Sequence, residues 1–180
     1  FSYMINYCVG LVVAEGVQNT DHRPEIENLL VEHMADVREK SSGESVADFD
    51  SILPYREAYR KLGIDPDTFQ SSIEFLIGQA ARGRGIPMVN PIADLVTAIS
   101  LKYLVPMGAY DMDTLEERLD VRFSEDGDVF VPFGGDQRED VEPGEIVYAS
   151  GYKVKMRKWI WRRSDDAKVR RGTTRIIIPI

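Results

Sequence analysis

Apolar residues in the first half of the chain recur at helical spacing. A first helix is predicted by a stripe of apolar residues three or four positions apart, formed by Ile26, Leu29, Leu30, Met34 and Val37. Thr20 and Asp21 are its capping candidates, and Pro24 suits its first turn. A second helix is predicted over residues 54–62, and a third begins at Ser71 or Ser72.

A fourth helix is predicted to begin with Asn90 as its N-cap and Pro91 as its first residue. Its apolar face consists of Ile92, Leu95, Val96, Ile99 and Tyr103. Pro106 ends this helix, and two small residues, Gly108 and Ala109, follow within three positions. Small residues at this point fit either a tight turn or a backbone that lies close against a bound ligand.

From residue 118 onward the pattern is typical of strands. The β-rich segments are separated by turn-forming sequences and read "RLDVRFS", "DVFVPFG", "GEIVYAS", "YKVKMRKWIW" and "TRIIIPI". Near the start of the chain, "INYCVGLVV" is mostly apolar and predicts a central strand. This order of elements predicts an α+β fold in a single domain of residues 1–180, helical over about 1–117 and β-rich over about 118–180.

Charge is distributed unevenly along a chain whose net charge is −8. Residues 151–180 contain ten Lys and Arg against two Asp, whereas the first 150 residues contain 12 basic and 28 acidic side chains. Such asymmetry can mark a polyanion site. It also arises when the basic and acidic surfaces of one domain face each other or solvent. Under the first interpretation the residues that contact RNA are Lys158, Arg162, Arg163, Arg170 and Arg171.

Several kinds of chemistry lack the residues they need. No apolar run reaches about 18 residues, so no membrane span is predicted. The single cysteine, Cys8, cannot form an internal disulfide, which fits a reducing cytoplasm. Only His22 and His33 could add to it in a zinc site, and no nucleophile-elbow sequence supports a catalytic triad. We therefore expect no metal and no cofactor, and we interpret both histidines as core or surface residues.

The segment "KWIWRRS" places two tryptophans among cations. Trp and Arg together can stack on bases or bind phosphates. In the alternative interpretation, Trp159 and Trp161 lie on one face of a strand as core residues, with the basic side chains on the other face. We expect one of the two rings to pack in the core and the other to reach a ligand site.

The stretch "RGRGIPMVNPIADLVTAISLKYLVPMGAYDMD", residues 82–113, resembles the editing (B3/B4) domain of the phenylalanyl-tRNA synthetase β subunit. That family has a run "CGI…D-V-T-N…L…QPMHAFD". An ungapped match places on it Gly85, Ile86, Asp94, Leu101, Pro106, Met107, Ala109, Tyr110 and Asp111. The likeness covers about residues 55–180 and is closer still to stand-alone proteins with this domain only. It implies a three-layer α+β domain, with helices packed on a β-sandwich of mixed sheets.

The resemblance implies editing in trans, that is, hydrolysis of the ester of a mischarged aminoacyl-tRNA by a positioned water, without a triad. The family needs a second site because a pocket for Phe rejects an analogue with an added hydroxyl by only about 10²-fold. The implied partners are the aminoacylated acceptor end of a tRNA and its amino-acid moiety, with the amino acid and the oligomeric state open. The alternative is a non-catalytic module that binds an amino acid or RNA.

The implied substrate-binding residues are Asn90, Asp94, Thr97, Pro106, Met107, Gly108, Ala109, Tyr110, Trp159 and Trp161. Some of them depart from the family's pattern. Gly108 stands where the family has a His, and Thr97 where it has an Asn. Trp159 and Trp161 stand where a Gly-Gly loop lines the family's substrate. These changes imply either a pocket for a different amino acid or a loss of hydrolysis.

Overall fold

The computed structural model describes residues 8–180 and confirms the α+β fold. Its helices are α1 (Pro24–Lys40), α2 (Leu53–Lys61), α3 (Ser72–Ala81) and α4 (Pro91–Tyr103). Its strands are β1 (Leu11–Glu15), β2 (Tyr110–Asp111), β3 (Asp120–Phe123), β4 (Val129–Phe130), β5 (Glu139–Asp140), β6 (Ile146–Ser150), β7 (Lys153–Arg157), β8 (Arg162–Arg163) and β9 (Arg175–Pro179). Among residues 8–180, none of the helices is long and apolar enough to cross a membrane.

The strands form two sheets. The smaller sheet has the order β1-β9-β2 and is antiparallel, with Val13 opposite Ile177. The larger sheet has the order β3-β6-β7-β4-β5, and β8 pairs with β7 beside it. In this sheet β4 and β7 run parallel, whereas the other paired strands are antiparallel. Because β9 pairs with β1, the last strand ties the β-rich half of the chain to its beginning.

The prediction of a central strand for "INYCVGLVV" is wrong, because β1 lies at the edge of its sheet. Residues 5–7 of that segment lie outside the described residues. Within residues 8–180, β1 pairs with β9 alone, and β9 occupies the middle of the smaller sheet. Leu11, Val12 and Val13 are exposed as a result. An apolar run indicates a strand, but periodicity does not say whether that strand lies inside the sheet or at its edge.

Helix α1 confirms the predicted stripe, since Leu30 and Val37 are buried on one face together with His33. Its beginning differs from the prediction. The helix starts at Pro24 with Arg23 as N-cap, and no side chain in the described part of the chain caps it. Thr20 and Asp21 lie too far upstream of that start to accept from its first amide groups.

Helix α4 begins as predicted: the Asn90 Oδ1 atom accepts a hydrogen bond of 3.0 Å from the backbone N–H of Ala93. The predicted apolar face is only partly right, because Tyr103 is exposed and Leu101 is buried instead. The helix packs on more than one side, which also buries the polar Asp94 and Ser100. A single apolar stripe therefore underestimates what this helix buries.

Two apolar clusters hold helices against the sheets. Val96 of α4 packs on Ile176 of the smaller sheet, and Tyr59 of α2 packs on Ile146 and Met156 of the larger sheet. Where the sheets meet, the rings of Tyr110 and Tyr148 stack with centroids 6.5 Å apart. This meeting point forms one side of the cavity described below.

The segment around the two tryptophans is a turn, so the prediction of a continuous strand through "KWIW" is wrong. Strand β7 ends at Arg157, and Lys158 and Trp159 have left-handed φ values of 45° and 64°. The turn is held by the N–H of Lys158, which donates to the Glu145 Oε1 atom at 3.0 Å, and by that of Trp159, which donates to the Ile146 carbonyl at 2.7 Å. Side chains in a turn do not alternate as they do in a strand.

Candidate functional site

A cavity of about 600 Å³ opens between α2, the segment that follows α4, and the meeting point of the two sheets. Its wall is mainly apolar and aromatic and includes Tyr55, Met107, Tyr110, Tyr148, Met156, Trp159 and Ile160. A few polar side chains also reach it, namely Cys8, Glu57, Lys61 and Ser72. This size and this mixture of many apolar groups with few polar ones are typical of small-molecule sites.

One wall of the cavity is the stretch from Pro106 to Gly108, which the end of α4 directs there. Leu104 adopts the left-handed conformation and terminates the helix, and the Ser100 hydroxyl donates to the Val105 carbonyl at 2.5 Å. Gly108 does not have a positive φ, so the explanation of Gly108 as a turn residue is wrong. A Cβ at position 108 would find its nearest atom, Nη1 of Arg163, at 3.7 Å, which is an ordinary contact.

The two tryptophans differ, but not in the expected way. Trp159 is buried, packs against Tyr55 and Tyr59 with ring centroids 6.0 and 5.9 Å apart, and also lines the cavity. Trp161 lies edge-on to Phe69 with ring centroids 4.7 Å apart and is not among the cavity-lining residues. We expected one ring to pack in the core and the other to line the ligand site. This expectation is wrong, because Trp159 both packs in the core and lines the cavity.

The predicted substrate-binding residues fall into three groups. Those that line the large cavity are Pro106, Met107, Gly108, Tyr110 and Trp159. Asn90 and Asp94 line a separate cavity of about 260 Å³, together with Arg171. Ala109, Thr97 and Trp161 line neither cavity. Ala109 lies in the core cluster beside Ile176, and the Thr97 hydroxyl donates to the Ala93 carbonyl within α4 at 2.8 Å.

The polar groups at the second cavity are already used by the fold. Besides capping α4, Asn90 donates from Nδ2 to the Val169 carbonyl at 3.1 Å. The Asp94 Oδ1 atom accepts from the backbone N–H of Val89 at 2.9 Å, and burial raises the pKa of this carboxyl. These bonds anchor the connector before α4 and the segment around Val169 to the start of that helix.

The basic segment from residue 151 is largely neutralised within the domain. Eight of its ten cations form ion pairs, namely Lys153, Lys155, Arg157, Lys158, Arg162, Lys168, Arg170 and Arg175. The buried Lys155, for example, lies 2.9 Å from Glu116 and 2.7 Å from Asp166. Acidic residues of the first 150 positions supply many of the partners. The structure therefore favours the interpretation that basic and acidic surfaces face each other.

The two remaining cations differ from each other. Arg171 is exposed and donates from Nη2 to the Thr20 carbonyl at 2.6 Å. Arg163, predicted to contact RNA, turns inward, with its guanidinium carbon 4.9 Å from the centre of the Tyr110 ring. Its Nε and Nη2 atoms are shielded from solvent and have no hydrogen-bond partner among residues 8–180. Burial lowers the pKa of this guanidinium.

Other cavity residues were not predicted from the sequence. Glu57 and Lys61 are four residues apart and so share one face of α2, which faces the cavity. Tyr148 belongs to β6, which is buried along its whole length. Helical spacing in 54–62 was the available signal for α2, but no pattern showed which partner this helix faces. Among residues 8–180, no three His, Cys, Asp or Glu side chains are grouped so that they could hold a metal ion.

Comparison with known proteins identifies the chain's family. The model of the B3/4 domain matches residues 54–180, which is more than half of the chain. The match includes every residue that lines the large cavity except Cys8. A search of curated proteins found no match. The chain belongs to the B3/4 domain family.

Proposed function

We propose that this chain binds the aminoacylated end of a tRNA in the large cavity and hydrolyses its ester in trans. The observation that carries this proposal is the position of residues 106–110. The stretch that resembles the editing motif forms one wall of a 600 Å³ aromatic cavity. Rings such as those of Tyr55 and Trp159 suit the apolar or aromatic side chain of an amino acid.

The cavity also has charges of both signs at one edge. Glu57 and Lys61 lie on the exposed side of α2. In this proposal Glu57 attracts the α-ammonium group of the aminoacyl ester, and Lys61 attracts the phosphate of the terminal nucleotide. The site then acts by holding the ester and a water in reacting geometry, since correct positioning alone can remove a large part of such a barrier.

A second candidate function is binding of an amino acid without catalysis. It is favoured by the composition of the cavity wall, which among residues 8–180 contains no histidine that could act as a base near neutral pH. It is also favoured by the internal pairing of the basic segment, which leaves little free positive charge for a nucleic acid. Both candidates place the amino acid in the same cavity.

The experiment that separates them is a deacylation screen against a panel of charged tRNAs. We expect at least one aminoacyl-tRNA to lose its amino acid faster than by spontaneous hydrolysis. The variant Lys61→Met should slow this reaction, whereas Arg60→Met, which removes an exposed charge outside the cavity wall, should not. Spontaneous rates for the entire panel would refute hydrolysis, and binding of a free amino acid would then support the second candidate.

A further inference from the structure

Arg163 differs from the other internal cations in its lack of a counter-ion. Arg56 pairs with the buried Glu74 at 2.6 Å, Arg122 with the buried Asp128 at 2.6 Å, and Lys155 with two carboxylates. Among residues 8–180, no carboxylate forms an ion pair with Arg163, and its guanidinium lies over the face of Tyr110. An internal charge without a partner is unfavourable, and it suggests that the partner is a ligand.

Arg163 is not itself one of the residues that line the cavity, but it lies directly behind two of them. Gly108 and Tyr110 both line the cavity, and both lie against the guanidinium. The Nη1 atom is 3.7 Å from the point that a Cβ at position 108 would occupy. Since residue 108 has no side chain, no side-chain atom of that residue lies between this point and the guanidinium. An oxygen that approaches about 1 Å closer would be within charge-assisted hydrogen-bond distance of Nη1.

We propose that Arg163 is the counter-ion of a carboxylate that binds in the large cavity beside Gly108. The ligand class is an α-amino acid with a free carboxylate and an apolar or aromatic side chain. Its side chain would contact the aromatic wall, and its ammonium group would face Glu57. The inference rests on the proposed function only in that this amino acid is the product of the proposed hydrolysis.

A carboxylate fits the site better than a phosphate. The wall is mainly apolar, and one internal guanidinium matches the single charge of a carboxylate, whereas a phosphate brings up to two charges and three acceptor oxygens. The cation that faces the mouth, Lys61, is exposed and suits a phosphate that remains in solvent. Arg163 therefore pairs with the carboxylate of the amino acid rather than with the phosphate of the nucleotide.

The test compares amino acids with their amides, which have the same side chain and ammonium group but no negative charge. Isothermal titration calorimetry is used with a panel of apolar and aromatic L-amino acids, each paired with its amide. At least one acid is expected to bind the parent protein tenfold or more tightly than its amide, the factor of one charge-assisted pair. Arg163→Met should abolish this preference, whereas Arg118→Met, which removes an exposed charge, should retain it.

Gly108→Val provides a second variant, because its side chain would start from the point 3.7 Å from Nη1 without removing the charge. It should also abolish the preference for the acid. Equal binding of acids and amides by the parent, retention of the preference in Arg163→Met, or no binding of any acid would each overturn the proposal. Deacylation without a preference for acids would refute the carboxylate site alone. A preference for acids without deacylation would refute the hydrolysis alone.

Discussion

Arg163 lies over the ring of Tyr110, whereas the more deeply buried Arg56 lies against a carboxylate. The guanidinium carbon of Arg163 is 4.9 Å from the Tyr110 ring centre, and the Arg56 Nη1 atom is 2.6 Å from the Glu74 Oε1 atom. Glu74 is itself buried, and burial raises its pKa although Arg56 lowers it. One internal arginine is thus part of the fold's own ion pairs, and the other is left for a ligand.

These two arginines should respond oppositely to the same substitution. Arg56→Met leaves Glu74 buried without its partner, so we expect a loss of about 3–5 kcal/mol in the free energy of unfolding. Arg163→Met removes an unpaired internal charge and should raise that free energy by on the order of 1 kcal/mol. Urea unfolding of the ligand-free proteins measures both. A loss for Arg163→Met as large as that for Arg56→Met would show that Arg163 stabilises the fold.

The stability of the domain should depend on Glu145 in a pH-dependent way. Burial by itself raises the pKa of Glu145, but the hydrogen bonds and charges of Arg157 and Lys158 outweigh it and hold the pKa below its ordinary value of 4.5. The unfolded chain therefore binds this proton more tightly than the folded protein does. The contribution of the Glu145 carboxylate to the free energy of unfolding is fully present above pH 4.5 and is lost as the pH falls through the folded-state pKa.

Glu145→Gln should consequently be less stable than the parent at pH 7, and the difference should shrink as the pH falls below 4.5. Urea unfolding at several pH values measures this difference. The matched control is Glu142→Gln, which changes an exposed carboxylate on the same segment and should follow the parent throughout. A constant difference across the pH range would show that the Glu145 pKa is not lowered.

Substitutions of the two tryptophans should differ in their effects on the free energy of unfolding and on ligand binding. Trp159→Ala removes a buried ring that contacts Tyr55 and Tyr59, so we expect a loss of about 3–5 kcal/mol. Trp159→Phe should keep the fold and weaken binding of the amino acid, because Trp159 lines the cavity. Trp161→Ala should cost less stability and leave binding unchanged. Thermal melts and calorimetry measure the two effects, and weaker binding in Trp161→Ala alone would contradict this assignment.

Any tRNA binding should depend on the exposed end of the basic segment. Arg170 and Arg171 are exposed, whereas Arg163 is half-buried, with its Nε and Nη2 atoms shielded from solvent. Replacing Arg170 and Arg171 by Met should reduce the slope of log affinity against log salt by about 0.7–0.9 for each phosphate that the variant no longer neutralises. Replacing Arg84 and Arg118, two exposed arginines elsewhere, is the charge-matched control. Equal slopes for the parent and both variants would exclude this surface as the RNA-binding face.

The sequence predicted the helices better than the site. All four helices were predicted, the first and fourth from helical spacing, and Asn90 before Pro91 located the start of α4, since capping is a local property. The order of the strands depends on contacts distant in sequence, so an apolar run could not place β1 at an edge. The turn at Lys158 and Trp159 likewise depends on Glu145, 13 residues before Lys158.

Apart from Trp159, the cavity was predicted in one wall only. The resemblance of residues 82–113 to a known motif led to Met107, Gly108 and Tyr110, which do line it. The opposite walls come from α2 and from β6, and no local pattern indicates which elements meet in space. The sequence also could not distinguish Arg163 from its neighbour Arg162. Arg162 pairs with a carboxylate, and only the tertiary structure shows that Arg163 turns inward.

Position 108 provides the most direct test of the claim that an aminoacyl ester is hydrolysed in the large cavity. A Cβ fits there, so Gly108→Ala should retain its melting temperature and most of its deacylation rate, whereas Gly108→Trp should fill the cavity. The measurement is the deacylation rate of the most reactive aminoacyl-tRNA with the parent and both variants, with the fold checked by circular dichroism. We predict that folded Gly108→Trp loses the activity and that Gly108→Ala keeps it. Deacylation by folded Gly108→Trp at the parent rate would contradict hydrolysis in this cavity.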